Sequence, residues 1–124
     1  MSGDLLVLLT PLRQALERID RKAQPLLDDP SLLDFEQGQD LLDVICMQFL
    51  AAGEALKRLE NMQPGLLTTG FPGIDWKGAM GFRDVIAHQY FDLDAEQVLL
   101  ICRHSLPGLL NAIRSLEERA NVNT

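Results

Sequence analysis

The sequence predicts an all-α protein, an antiparallel four-helix bundle with a short third helix. Apolar residues recur every three or four positions along most of the chain. No stretch of strand length alternates with period two, and most breaks in the pattern are clusters of Pro, Gly and Asp. At 124 residues, 47% hydrophobic and 23% charged, the chain suits one soluble domain over residues 1–124 whose core needs no disulfide or metal staple.

The first stripe is Leu5, Leu9, Leu12, Leu16, Ile19 and Ala23, one face of an amphipathic helix. Pro11 lies inside it, so the helix either kinks there or begins there, with Thr10 as cap. Pro25 and the run Asp28-Asp29-Pro30-Ser31 read as a break. Leu42, Ile45, Phe49, Ala52, Leu56 and Leu59 form the second stripe. Two prolines and three glycines then fall between Asn61 and Asp75, a long loop of the kind a compact domain seldom keeps without a use. Its Gly65 and Gly70 precede no Gly-Lys-Ser/Thr, so they do not form a phosphate loop. Asp75 can cap a third helix running to about Tyr90, with Trp76 and Phe82 as core anchors. Asp94 opens the fourth, whose stripe is Leu99, Cys102, Leu106, Leu109, Ile113 and Leu116, and Pro107 should bend it.

The longest apolar runs, Leu5–Leu9 and Val98–Cys102, fall far short of a membrane span, and Asp4 precedes the first with no basic residue before Arg13. Cys46 and Cys102 stand apart among apolar residues and read as buried thiols of a reducing cytoplasm. Eleven basic residues against eighteen acidic give a net charge of −7, which disfavours an indiscriminate binder of nucleic acid or anionic membrane. No cluster of residues has metal-ligand spacing, and no cofactor is expected.

Histidine chemistry is confined to His88 and His104. His104, beside Arg103, reads as a surface or packing residue. The third helix ends in Arg83-Asp84-Val85-Ile86-Ala87-His88-Gln89-Tyr90. Arg83 and Tyr90, seven apart, share a face with Ala87 between them, and Asp84 is one turn from His88, placed to fix its ring tautomer. Arg83 and His88 are five apart, roughly 140° around an ideal helix. They converge on one substrate only if the helix end unwinds or a second copy of the chain supplies the partner group. From spacing alone, the ordinary reading is a solvated helix end with charges answering the dipole.

The run from Arg83 to Tyr90 resembles the R-x-x-x-x-H-x-Y motif of the HepT-like toxins of the HEPN ribonuclease superfamily. Gly53-Glu54-Ala55-Leu56-Lys57-Arg58-Leu59 is similar to that family's G-E-A-x-x-R-L segment. Ile74-Asp75-Trp76 with Gly81-Phe82-Arg83 resembles its I-P-W and G-M-R approach, and Asp94 to Val98 with Leu106-Pro107 resembles its last helix. Asp84 stands where the family commonly has Asn, and the segment Met47-Gln48-Phe49-Leu50 lacks the polar Asn and Glu usual there. The likeness runs from about residue 5 to 119.

The resemblance implies a homodimer with a composite, metal-independent endoribonuclease site in which Arg83 and His88 are catalytic and Asp84 supporting. It further implies a toxin–antitoxin pair in which a MntA-type nucleotidyltransferase attaches AMP to Tyr90. Such an added phosphate would place negative charge against Arg83. Local positive charge for RNA must come from Arg83, with Lys57, Arg58 and Lys77 as helpers. The competing reading is a non-catalytic accessory subunit that binds nucleotide or substrate for a small nucleotidyltransferase.

Overall fold

The computed structural model describes residues 2–122, which form five α-helices and no strand. They are α1 Ser2–Asp28, α2 Glu36–Met62, α3 Trp76–Gln89, α4 Ala95–His104 and α5 Leu106–Val122. The all-α expectation holds, but the fourth predicted helix divides at Ser105. Pro107, second residue of α5, has no N–H to return to the Arg103 carbonyl, and its ring crowds that oxygen. The Ser105 amide still reaches Ile101 O at 2.9 Å and the Leu109 amide reaches Ser105 O at 3.2 Å. The division is therefore a joint between two helices that keep one stripe. Leu99, Cys102, Leu106, Leu109, Ile113 and Leu116 are all buried along it.

Neither proline of the N-terminal segment interrupts α1, a correction to both expected breaks. Pro11 and Pro25 are exposed. The carbonyls they deprive of a donor, on Val7 and Arg21, belong to exposed residues, where water can replace the lost bond. The chain turns only at Asp29, whose carboxylate accepts the Ser31 amide at 3.2 Å and opens a 3-10 turn over Pro30–Asp34. Gly38 lets α2 pass against this turn, because a Cβ there would strike the Leu32 carbonyl.

Side-chain pairings set the helix directions. Arg13 reaches Glu117 at 2.6 Å and Arg114 reaches Glu17 at 3.0 Å, so α1 and α5 run antiparallel. Contacts pair Tyr90 with Asp43 and Asp84 with Lys57, so α2 and α3 do the same. Helix α1 packs against α2 and against α4 and α5, whereas α3 packs on α2. The short third helix is thus an outlier on one side of the bundle. Cys46 and Cys102 are buried free thiols, as their surroundings predicted, and burial is the main cause that pushes them to about 11 and about 12.

The long segment after α2 is tied down from within. Glu60, in the last turn of α2, accepts the Gly65 amide at 2.9 Å, the Leu67 amide at 3.0 Å and the Thr68 hydroxyl at 2.9 Å. Gly65 sits at φ +88, a conformation that favours glycine. Leu67 is fully buried, Trp76 Nε1 donates to Phe71 O at 2.9 Å, and the Arg119 guanidinium stacks over the Phe71 ring. These ties set where α3 begins, with Asp75 capping it through the Gly78 amide at 2.9 Å.

Two consequences can be measured. Leu67→Ala leaves a cavity at the loop anchor and should cost about 2–5 kcal/mol in urea unfolding. The backbone amides hold the Glu60 carboxyl below its ordinary range. Its contribution is present above that range and is lost as pH falls through the lowered value. Glu60→Gln should therefore be less stable than wild type at neutral pH and lose less on acidification below about pH 4.5.

Candidate functional site

Helix α3 carries the motif and touches α2 at a point where side-chain volume is missing. A Cβ added at Gly53 would lie 2.5 Å from Arg83 Cβ, closer than atoms can pack, so glycine is what allows Arg83 to lie directly on α2. Phe49, one turn earlier on α2, meets Phe82 edge-to-face at 5.1 Å between ring centroids and buries the contact from the core side. Trp76 and Phe82 are core anchors, as expected.

The Arg83 guanidinium is held by acids. Its Nε lies 2.9 Å from Glu54 Oε1 as an ion pair, off the line of the N–H, and its Nη1 donates to Asp84 Oδ1 at 3.2 Å. The same Asp84 oxygen accepts from Lys57 Nζ at 3.2 Å. Lys57 first and Arg83 second keep the Asp84 carboxyl below the usual carboxylate range. Asp84 therefore serves Lys57 and Arg83, not His88, which corrects the expected tautomer-fixing bond. The nearby cations outcompete an imidazole one turn away. Among the described residues, His88 makes no hydrogen bond or ion pair and is exposed near the end of α3.

The helix does not unwind at His88. Its α-helical backbone runs through Gln89, so Arg83 and His88 stay about 140° apart around the axis. Tyr90 then begins a 3-10 turn, Tyr90–Asp92, and its hydroxyl donates to the Asp43 carboxylate on α2. This bond is the main cause that pushes the phenol up to about 12, with desolvation adding to it. Asp43 and Glu54 are eleven residues apart on one helix, roughly 16 Å at 1.5 Å per residue. The Tyr90 oxygen and the Arg83 guanidinium therefore sit at separate stations along α2. Arg83 and Tyr90 thus share the face of α3 that meets α2, as expected, but their polar groups meet acids roughly three turns apart on it.

The model of the HepT-like ribonuclease family matches residues 12–116. This chain belongs to the HepT-like family. No solved structure matches it. The matched segment contains every residue of the site, from Asp43 to Tyr90.

Three functional neighbours of the HepT-like motif escaped the sequence reading. Glu54 was in view within the G-E-A segment, but its pairing with Arg83 depends on the α2–α3 register. Lys57, expected to help supply positive charge for RNA, is instead paired with Asp84. Asp43 had no signal at all, being 47 residues from its partner. His104 is the exposed last residue of α4 and lines the same groove as Val85 and Gln89 of the motif run. Among the described residues, no group of three His, Cys, Asp or Glu is gathered to hold a metal ion, and no helix is long and apolar enough to cross a membrane.

The Gly53 contact is directly testable. Gly53→Ala should destabilise the fold by about 1–3 kcal/mol through overpacking, read from denaturant midpoints. Gly81→Ala, on the same α3 with open space at its Cβ, should not destabilise it.

Proposed function

We propose that this HepT-like chain is a metal-independent endoribonuclease toxin that acts as a homodimer, with Arg83 and His88 at a composite site. The observation that carries this reading is the unbroken helix under the motif. Within one chain Arg83 and His88 diverge, so a single phosphodiester can meet both kinds of group only where a second α3 faces the first. The surface around the motif suits such burial, with Met47 61%, Tyr90 43% and Phe91 98% exposed.

The chemistry asks little else of the protein. The ribose 2′-hydroxyl is the nucleophile and attacks the adjacent phosphorus. One His88 takes its proton, the 5′-oxygen leaves with a proton from the other His88, and the products are a 2′,3′-cyclic phosphate and a 5′-hydroxyl end. Arg83, charged throughout, offers its Nη edge to the phosphorane oxygens. Asp84 supports it by fixing the fork from the side, together with Glu54.

In the same reading Tyr90 is the acceptor for AMP from a MntA-type nucleotidyltransferase antitoxin. The hydroxyl must leave Asp43 to be modified. Once esterified it can no longer donate to that carboxylate, and its new phosphate is repelled by it. The nucleotide is then driven outward over the exposed motif face, where it obstructs RNA and repels its phosphates. The accessory-subunit reading gains no support from geometry, because aspartates and not Lys or Arg edge the groove between α3, α4 and α5.

The reading fails if purified protein leaves RNA intact in EDTA under conditions where its expression arrests growth. His88→Ala and Arg83→Ala should each lower cleavage by at least about a hundredfold. If both imidazoles serve one site, co-refolding wild type with an equal amount of His88→Ala should leave about a quarter of the cleavage activity, against about half for independent sites. Co-expression with the nucleotidyltransferase should add mass in steps of one AMP, absent in Tyr90→Phe. Because Lys57 and Arg83 are already paired with acids, RNA binding should be weak, fall with added salt, and strengthen in Asp84→Asn, as read by filter binding.

A further inference from the structure

A groove runs along α3 past Phe82, Val85 and Gln89, and neither Arg83 nor His88 lines it. Because α3 packs on α2 and makes little contact with α4 and α5, this groove of about 880 Å³ opens between them. Its floor is apolar, built from Phe49 and Leu56 of α2, Phe82 and Val85 of α3, Ile101 of α4 and Leu109 of α5. Its charged edge is of one sign. Asp75, Asp92 and Asp94 line it, no Lys or Arg does, and His104 is its one basic side chain. Asp75 and Asp94 each use one oxygen to cap a helix, on the amides of Gly78 and Glu96, and all three aspartates are exposed.

That combination selects among occupants. A nucleotide or RNA strand would bring phosphates against three carboxylates. An apolar floor between helices, edged by acids, fits a helix whose apolar side carries anchors at i, i+3 or i+4 and i+7 and whose flanks are basic. We propose that this groove is the docking site for a basic amphipathic helix of a partner protein, its apolar ridge on the Phe49–Phe82–Ile101 floor and its Lys or Arg residues over Asp75, Asp92 and Asp94. Arg83 and His88 are not among the groove's lining residues, and the proposal does not depend on the RNA-cleaving reading.

The experiment uses the full chain and a fluorescein-labelled helical peptide with a leucine ridge flanked by lysines, followed by fluorescence anisotropy. Saturable binding in the micromolar range, weakened by salt, is expected. The triple change Asp75→Asn, Asp92→Asn and Asp94→Asn keeps both caps, since Asn caps as well as Asp. It should weaken binding by roughly tenfold and flatten the salt dependence. Gly81 and Gly108 line the groove with open space at Cβ, so Gly81→Leu and Gly108→Phe fill it from α3 and from α5. Each filled variant should lose most binding at unchanged circular dichroism. Absence of saturable binding overturns the proposal, as does equal affinity for the same peptide with glutamates in place of lysines. So does undiminished binding by a folded groove-filled variant. If filling disrupts folding, the triple Asn variant decides, and its binding like wild type counts against the proposal.

Discussion

The functional end of this molecule rests on one close approach, that of Arg83 on α3 to Gly53 on α2. With no Cβ in the way, Arg83 lies on the α2 surface, and its guanidinium meets the acid of the very next α2 residue, Glu54. Lys57, one turn on, meets Asp84. At the other end of the same contact, Tyr90 reaches Asp43. Three polar ties therefore lie along one antiparallel pair, and a bulkier residue at Gly53 would push on Arg83 at one end of it. The apolar core reinforces this by fixing α2 on α1 and closing the contact from beneath with Phe49 and Phe82.

Much of the fold was legible because periodicity is a local property. The stripes of α1, α2 and the α4–α5 unit are buried as read, Leu5 being only partly so, and Asp75 and Asp94 cap the helices they were assigned. Proline was less legible. Its cost depends on whether the carbonyl it strands can find water, and this is settled by tertiary exposure. Pro11 and Pro25 face solvent and leave α1 intact, whereas Pro107, in the first turn of α5, coincides with a joint. The tie of the long loop to Glu60 was invisible, since a carboxylate accepting backbone amides five to eight residues on leaves no periodic trace.

At the site, residue types were legible and pairings were not. Spacing along α3 gave the angular divergence of Arg83 and His88, and the helix keeps it. Spacing also offered Asp84 to His88, which fails, and set Tyr90 on the face of Arg83, which holds although the two reach different acids of α2. Partners within one helix compete with partners across the α2–α3 contact, and there the stronger charges, Lys57, Arg83 and the Asp43 carboxylate, win. Only the register of two helices reveals them.

Under the proposed reading, this arrangement lets an acidic protein carry an anion-binding site without attracting anions at large. The guanidinium of Arg83 and the ammonium of Lys57 are each neutralised at short range by Glu54 and Asp84, so the long-range field remains that of a body of net charge −7. A phosphodiester gains the Arg83 fork only by coming close enough to displace or share those acids. The exchange is favourable in proportion to how completely water is excluded, since low dielectric strengthens the new pair more than the exposed old one. Exclusion of water is what a second α3 laid over the first would supply. Under that arrangement, assembly and anion recognition are one event: a lone chain keeps its cations occupied, and the paired chains release them to the phosphate.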